Sequence, residues 1–401
     1  MNLRTLLFWP HLVIGVLAGG VILLMSVTGV LLTYERQMVA WSNGHLRSEA
    51  PAAGGSRLSM ERLLTNLQRS HPDVRPVTIT VGAEFDAPVI IGLGTQRDIY
   101  VDAYSGRVLG EGNPRVRSVM STLRSWHRWL AAEGDARMTA RAITGWSNVL
   151  FALLVLSGVY LWFPRHWSWA HVRPVLFFGS RTGKARDFNW HNVIGIWSAV
   201  PLFVVVVSAI PISFPWGNAL VYKAVGDEPP AARGRGPGPA GEAARTGEHP
   251  RGAGPERVAA SGSVRPFVVT GLDARLERAE AAWRTITFRP SPSPGGPMDF
   301  AIDTGDGGQP QHRSTLTVGA DGHVLSHQHF ADQSPGRQIR SIMRFAHTGE
   351  VLGIPGQTVA GVVSAGGAVL VWTGIALALR RGLAWRHRRR TAYRTAARPA
   401  A

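Results

Sequence analysis

The chain has 401 residues, of which 45% are apolar, a formal net charge of +17 and no cysteine. Without cysteine there can be no disulfide bond, thiolate-ligated heme, cysteine-held iron–sulfur cluster or Cys-x-x-Cys-His attachment of c-type heme. In a soluble protein this charge would suggest nucleic-acid binding. Here the basic residues cluster beside apolar blocks, which favours a membrane protein and excludes nucleic acid as the expected partner.

Four apolar blocks determine the predicted class of protein. Each is long enough to cross about 30 Å of hydrocarbon as a helix that rises 1.5 Å per residue. The first block resembles a secretory signal, but its apolar stretch is longer than usual and Glu35 and Arg36 follow it, so we expect a retained span. The blocks are approximately Leu12–Tyr34, Ala142–Phe163, Asn192–Pro215 and Gln357–Leu379.

The basic residues also predict the orientation of the chain. The segment from Arg380 to the C-terminus holds eight Arg and no acidic residue, and residues 165–190 hold five Lys or Arg against one Asp. By the positive-inside rule these segments and the N-terminus are cytoplasmic, so residues 35–141 and 216–356 lie outside. We therefore expect a multi-pass protein of a bacterial inner membrane with both termini in the cytoplasm.

Each outer segment has the pattern of a small α+β module. The first is predicted to contain a helix at Met60–Ser70, strands at Val77–Val81, Pro88–Ile91 and Asp98–Val101, a turn at Ala103–Gly106 and a return strand at Arg107–Leu109. The second is predicted to contain a helix at Leu272–Trp283, strands near Ile286 and Phe300, Leu316–Val318, a turn at 320–322 and Val324–Leu325. A tract rich in Gly, Pro, Ala and Arg, residues 226–263, is predicted to be a flexible tether.

Two pairs of phrases predict an internal two-fold repeat. Phe8-Trp-Pro-His11-Leu-Val-Ile-Gly15 matches Phe188-Asn-Trp-His191-Asn-Val-Ile-Gly195, and each phrase begins or precedes an apolar block. Val116-Arg-Ser-Val-Met120 leads to His127, as Ile339-Arg-Ser-Ile-Met343 leads to His347. Removing the tract at 226–263 brings the two copies into register.

The four repeated histidines are the candidate metal ligands. A single imidazole near the end of a membrane helix is a structural residue that donates to a carbonyl as often as it is a metal ligand. Two matched pairs, each at one depth, favour His11 with His191 and His127 with His347 as axial ligands of two irons, although the pairing itself stays open. Nearby glycines would admit either a porphyrin or a neighbouring helix, and tryptophans would line heme edges or form an interfacial belt. These residues are Gly15, Gly19, Gly20, Gly195, Gly349, Gly353 and Gly356, and Trp126, Trp129, Trp146, Trp190 and Trp197.

Two further groups of residues have weaker signals. His323, His327 and His329 would share one face of an extended segment and could hold iron or zinc, but an exposed His-rich strand is the commoner arrangement. Arginines near the outer pair could attract an anionic chelate or pair with heme propionates. They are Arg340 and Arg344 in the second copy and Arg117 and Arg124 in the first.

With these phrases, and with Trp126-His127-Arg-Trp-Leu130, His347-Thr-Gly349 and Leu161-Trp-Phe-Pro-Arg165, the chain resembles the PepSY-associated transmembrane family over nearly its whole length. Members of that family include inner-membrane ferric-siderophore reductases with b-type heme. The resemblance implies two noncovalent, bis-histidine hemes b and electron transfer from the cytoplasmic side to a ferric siderophore in the periplasm.

Some expectations have alternatives or no assignment. The electron donor is either a cytoplasmic partner or quinol in the bilayer, since no dinucleotide-binding or Walker motif is present. The basic segment 165–190, with His166 and His171, could dock an anionic donor, but a topology signal explains it better. Alternative functions are a periplasmic binding or regulatory protein that uses its PepSY modules without redox activity, and a permease for an iron complex. No catalytic residue is assigned.

The expected fold is a membrane four-helix bundle with two periplasmic α+β PepSY-like modules and an internal two-fold repeat. The predicted segments are helix 1 (1–34), module 1 (35–114), an amphipathic segment with His127 (115–141), helix 2 (142–163), a basic cytoplasmic loop (164–190), helix 3 (191–215), module 2 (216–334) with the insert 226–263, an amphipathic segment with His347 (335–355), helix 4 (356–379) and a basic tail (380–401).

Overall fold

The computed structural model describes residues 2–51, 55–72, 74, 76–94, 97–164, 167–230, 283–289, 296–319 and 322–396, with side chains as far as residue 389. Several predicted features lie outside the described residues. These are Arg165 and His166, most of the insert 226–263, the helix at 272–283 apart from Trp283, and two residues of the turn at 320–322.

The helices and strands are numbered in chain order. They are α1 (Leu3–Leu32), α2 (Glu35–Ser42), α3 (Met60–Ser70), β1 (Thr78–Gly82), β2 (Val89–Gly92), β3 (Asp98–Val101), β4 (Val108–Glu111), α4 (Pro114–Trp129), α5 (Ala136–Trp162), α6 (Trp169–Leu176), α7 (Gly183–Ser208), α8 (Ile210–Ser213), α9 (Pro215–Ala224), β5 (Thr285–Phe288), β6 (Met298–Asp303), β7 (Arg313–Val318), β8 (Val324–His329), α10 (Pro335–His347) and α11 (Gly353–Ala396).

The described residues form two compact units, each built from separate stretches of the chain. The bundle unit contains residues up to 34, 120–221 and from 346 onward, and the sheet unit contains residues 35–119 and 222–345. Within the described residues, four helices are long and apolar enough to cross a membrane, and all four belong to the bundle unit. The chain is therefore a multi-pass membrane protein with a separate antiparallel β-sheet region.

The four long helices α1, α5, α7 and α11 pack as a ring, with α1 beside α5, α5 beside α7, α7 beside α11 and α11 beside α1. One core cluster joins Ala18 and Ile22 of α1 to Val371 of α11. A second core cluster joins α5, α7 and α11, through residues that include Leu202 and Val206. Small and β-branched side chains at these contacts allow close helix packing, which drives helix association in lipid.

All four helices extend beyond the predicted apolar blocks. The helix α1 begins at Leu3 and α7 begins at Gly183, each nine residues before the corresponding block begins at Leu12 or Asn192. Hydropathy marks only the part of a helix that is in hydrocarbon, whereas backbone hydrogen bonding continues through polar flanks. As a result, His11 and His191 lie within helices, each about two turns after the first residue.

The sheet unit contains one antiparallel sheet of eight strands in the order β4-β3-β2-β1-β5-β6-β7-β8. The strands of the two predicted modules are thus joined, because β1 pairs with β5. Ile79 lies opposite Phe288 and Val81 opposite Ile286 at this junction. The hydroxyls of Thr80 and Thr287 are 2.9 Å apart there, which adds a cross-strand hydrogen bond.

The helix α3 has the bounds predicted from the sequence and covers part of this sheet. Ser59 caps its N-terminus by accepting a hydrogen bond from the backbone N–H of Arg62. Leu63 and Leu67 on its apolar face are 1% exposed and pack in a single core with strands from both halves of the sheet. Phe300 of β6 is fully buried in the same core.

Candidate metal centres

The first histidine pair lies within the long helices of the bundle unit. His11 is in the third turn of α1 and His191 is in the third turn of α7. The centroids of their rings are 6.5 Å apart, and the ring planes cross at 85°. We call His11 and His191 the inner pair.

The second histidine pair lies on the two shorter helices that precede α5 and α11. His127 is in the last turn of α4, and His347 is the last residue of α10. Their ring centroids are 6.2 Å apart, and the planes cross at 48°. The structure therefore brings together His127 and His347, which we call the outer pair.

Two imidazoles bound on opposite sides of one metal ion have a definite separation. A metal–imidazole bond is about 2 Å long and the ring centroid lies roughly 1 Å beyond the nitrogen, so the two centroids are about 6 Å apart. The centroid separations of 6.5 Å and 6.2 Å match this value. Each pair has the spacing that two axial ligands of one iron require.

The number of ligands in each site indicates the kind of metal centre. Among the residues that the structure describes, no group of three or more His, Cys, Asp or Glu side chains is placed to hold an ion. An ion bound by protein side chains alone usually needs three or four of them. A heme provides four nitrogens and needs only two axial ligands, so each histidine pair fits a heme.

Hydrogen bonds fix the tautomers of the inner pair. The Ser157 hydroxyl donates its proton to the Leu153 carbonyl at 2.7 Å, so it can only accept from Nδ1 of His11, which lies 2.8 Å away. The Thr373 hydroxyl likewise donates to the Val369 carbonyl at 2.8 Å and accepts from Nδ1 of His191 at 3.0 Å. Both rings are therefore protonated on Nδ1, and Nε2 has the lone pair that a metal needs.

The outer pair is oriented in a related way. Thr28 donates to the Leu24 carbonyl at 2.7 Å and accepts from Nδ1 of His127 at 3.0 Å. Nδ1 of His347 donates to the backbone carbonyl of Val205 at 2.8 Å. Burial, followed by the charge of His347, lowers the pKa of His127 to about 4, so this ring is neutral at physiological pH. All four imidazoles thus have the tautomer in which Nε2 is the metal-binding atom.

A glycine follows each of the three hydroxyl residues and lies against the same ring. A Cβ atom added at Gly158 or Gly374 would be 3.4 Å from Cε1 of His11 or His191, and one added at Gly29 would be 3.5 Å from Cε1 of His127. An added Cβ would therefore be in van der Waals contact with the ring at each of these positions. The sequence analysis missed these three Ser/Thr-Gly dipeptides, although glycine in an apolar helix is itself a signal of close packing.

The glycines that the sequence did predict serve a different purpose. A Cβ added at Gly19 would lie 3.3 Å from side-chain atoms of Val371 and Ile375, and one added at Gly195 would lie 3.6 Å from Leu370. These two glycines pack against α11 and not against an imidazole. Gly349 has a φ of +76° and closes the turn after His347, where an added Cβ would be 2.3 Å from the Gly356 carbonyl oxygen.

The remaining predicted residues are dispersed. Of the tryptophans, Trp146 and Trp197 are 54% and 66% exposed, as an interfacial belt requires. The rings of His327 and His329 are 4.2 Å apart on β8, but the described residues include no third ligand beside them, and a metal site at His323, His327 and His329 stays a prediction without structural support. Arg117 forms an ion pair with Asp98 at 2.7 Å.

The basic segment 165–190, whose last residues form the start of α7, contains a buried ion pair that the sequence analysis did not single out. Asp187 is 2% exposed and bonds to the guanidinium groups of Arg186, at 2.9 Å, and of Arg380, at 3.0 Å. His171 in the same segment lies 2.6 Å from the Ser168 hydroxyl through its Nδ1. The single acidic residue of this segment is therefore the partner of one positive charge of its own segment, Arg186, and of one on α11, Arg380.

Comparison with known proteins gives one family. A family model described as "PepSY-associated TM region" matches residues 8–381, a range that includes all four paired histidines. No curated protein matches the chain.

Proposed function

The chain belongs to the family of PepSY-associated TM regions, and from this premise we propose that it is a diheme b-type electron-transfer protein that reduces ferric siderophores. The inner pair would hold one heme and the outer pair the other, both without covalent attachment. The protein would be a heme-dependent oxidoreductase of a bacterial inner membrane, serving iron uptake.

The observation that supports this proposal is that all four imidazoles share one arrangement. In each ring Nδ1 donates a hydrogen bond, to a hydroxyl in three cases and to a carbonyl in the fourth, and in each pair the centroids are about 6 Å apart. A hydrogen bond from the second ring nitrogen is the usual support of a metal-bound histidine. A purely structural role would not require the same tautomer and spacing twice.

A bound heme would supply one-electron chemistry, and His11 with His191 and His127 with His347 would be the residues that hold the two hemes. The hydrogen-bond partners of Nδ1 hold the imidazoles of each pair in one neutral tautomer and fix their orientation. The substrate would be an Fe(III) chelate in the periplasm. Siderophores bind Fe(III) through hard, anionic oxygens, so one electron weakens the complex and releases the iron as Fe(II).

We further propose that the bundle is an internal two-fold repeat. In the first half, His11 bonds to Ser157 and Thr28 bonds to His127; in the second half, His191 bonds to Thr373. Ser208 lies as far beyond His191 as Thr28 lies beyond His11, and its hydroxyl donates to the same Val205 carbonyl that accepts from His347. Matching partners at matching positions support a duplication of helix pairs.

The orientation that we propose follows from charge. The exposed arginines near the end of α11 and the basic segment before α7 would face the cytoplasm, as would the N-terminus. The inner pair would then be near the cytoplasmic side and the outer pair near the periplasmic side. Electrons would cross the membrane from the inner to the outer pair.

The pyridine hemochrome assay on the purified full-length protein tests the cofactor. We expect two hemes b per chain, and one in each of the variants His11→Ala and His347→Ala, because each removes one axial ligand of a different pair. The matched control is His45→Ala, which removes an exposed histidine and should keep both hemes. Protein without heme would contradict the proposal and favour a binding or regulatory protein.

The substrate is tested with the dithionite-reduced protein, after removal of excess reductant. A ferric trihydroxamate should oxidise the reduced hemes, so that their absorption bands return to the oxidised form. The Fe(II) produced should be trapped by a chromogenic chelator, one iron for each electron. The Ga(III) complex of the same ligand has nearly the same shape but cannot be reduced, so it should leave the bands unchanged. Equal responses to both complexes, or to neither, would contradict reduction of this class of substrate.

A further inference from the structure

A cavity of about 310 Å³ lies between α7 and α11 in the bundle unit. Trp190 and Trp372 form part of its wall, together with small aliphatic side chains of α11. Trp372 is 67% exposed, so the cavity reaches the outer surface of the bundle, which faces lipid in a membrane. An amphiphilic molecule dissolved in the bilayer could therefore enter it from the side.

The charged part of the cavity wall is the Arg186–Asp187 pair. The Asp187 side chain is 3% exposed, and it is held by Arg186 and Arg380. Burying a carboxylate with two guanidinium groups is costly, and charged groups in membrane helices usually have a function. The matching positions in the first half of the chain are Leu6 and Leu7, so a histidine site of this kind does not need the ion pair.

The cavity also adjoins the inner pair. Thr373 lines it and accepts the hydrogen bond from Nδ1 of His191 at 3.0 Å. Asp187 and His191 are four residues apart on α7, which places them on the same face of the helix, one turn apart. A molecule in this cavity would be separated from His191 by a single side chain.

We infer that this cavity binds the ring of a lipid-soluble quinone or quinol. A volume near the lower limit of ligand cavities, roughly 300–1,000 Å³, suits a single ring and is too small for another tetrapyrrole. The indole rings offer flat surfaces, Asp187 can accept from a quinol hydroxyl, and Arg186 can donate to a quinone carbonyl. Arg186 and Asp187 compensate each other's charge in the cavity wall, which favours an uncharged ring over a phospholipid phosphate.

This inference rests on the proposed function, for which a quinol bound beside His191 would be the electron donor. Conversion of one quinol into a quinone breaks two O–H bonds and releases two electrons and two protons. The electrons would go to two one-electron acceptors, as a diheme protein provides. The protons would pass to the Asp187 carboxylate and to water.

Binding of decylubiquinone to the full-length protein in lipid nanodiscs tests the inference, with empty nanodiscs as the blank. Trp372→Leu and Asp187→Leu introduce the residues found at the matching positions of the first half, Leu156 and Leu7. We expect each variant to bind at least tenfold more weakly than the wild type. Trp146→Leu is the matched control, because it removes an exposed tryptophan of α5 that does not line the cavity, and its affinity should be unchanged.

Two further measurements separate the possible outcomes. The variant His191→Ala should lose the inner heme but bind decylubiquinone within about threefold of the wild type, so the cofactor and the quinone site can fail independently. Because Trp372 is exposed, Trp372→Leu should fold even if Asp187→Leu does not. Equal affinities for the wild type and Trp372→Leu would overturn the inference, as would displacement of the quinone by phosphatidylglycerol.

Discussion

The bundle unit and the sheet unit are built on different kinds of contact. In the bundle unit, hydrogen bonds link polar side chains of different helices, as with His11 and Ser157 or His191 and Thr373. In the sheet unit, one apolar core extends beneath both halves of an eight-stranded sheet. The comparison teaches that substitutions beside the histidines of the bundle unit should affect binding of the proposed hemes, whereas those in the core of the sheet unit should affect stability.

The largest effect is expected from a large side chain beside an imidazole. Leucine at position 374 would add a branched side chain beside the ring of His191, where a Cβ atom alone is already in contact with Cε1 at 3.4 Å. We expect Gly374→Leu to lose one of the two hemes in the hemochrome assay. Gly382→Leu is the matched control on the same helix, since an added Cβ meets no atom within 4 Å, and it should keep both hemes.

A cavity in the sheet core should have the next largest effect. Phe300 is fully buried and packs against Phe288, with ring centroids 5.1 Å apart, across the pair β5–β6. We expect Phe300→Ala to destabilise the sheet unit by about 3–5 kcal/mol. The β-sheet circular dichroism signal of the full-length protein should be lost at a lower temperature. The heme absorption bands at room temperature should keep their intensity. Loss of both signals together would contradict the separation of roles.

Removing a single hydroxyl from the bundle should have a smaller effect. Thr373→Val keeps the shape of the side chain but removes the acceptor for Nδ1 of His191. Loss of such a partner typically lowers metal-site affinity by about 10–100-fold. A heme-transfer assay to apomyoglobin should show faster loss from the inner pair only. The comparison is Ser208→Ala, which should have a slight effect. In this variant the backbone carbonyl of Val205 still accepts the hydrogen bond from Nδ1 of His347.

The smallest effect concerns a buried carboxylate in the sheet unit. Burial raises the pKa of Asp102, but hydrogen bonds from Ser105, from the backbone N–H of Glu49 and from Tyr104 outweigh it, so the net pKa is lowered. The stability from this group is therefore complete above the unfolded pKa of about 3.9 and is lost as the pH falls through the folded value. In Asp102→Asn the melting temperature should fall less between pH 5 and pH 3 than in the wild type. An unchanged pH profile would contradict this role.

The sequence predicted the parts of the fold that depend on local pattern. Apolar runs located the four long helices, amphipathic spacing gave α3 its bounds at Met60 and Ser70, and the repeated phrases picked out the four histidines that the structure brings together in pairs. Each of these signals is carried by a short stretch of the chain, in which periodicity determines which residues share a face.

What the sequence could not predict depends on contacts between distant segments. Ser157, Thr28 and Thr373 bond to histidines 146, 99 and 182 residues away, and the choice among the hydroxyls of a span depends on how each helix is rotated. The pairing of β1 with β5 likewise joins segments more than 200 residues apart. Two separate modules and one joined sheet have the same local pattern, so only the structure distinguishes them.

The junction between β1 and β5 also protects the protein from unwanted association. A strand with unpaired backbone groups on one side is a template for strands of other molecules. By pairing β1 with β5, each half of the sheet covers one such edge with the other half. In the described sheet only β4 and β8 remain at the edges, and both contacts to their neighbours contain a register irregularity, at Val101 and at Val318. Irregular edges discourage aggregation, so the two remaining edges of the described sheet are poor templates for strands of other molecules.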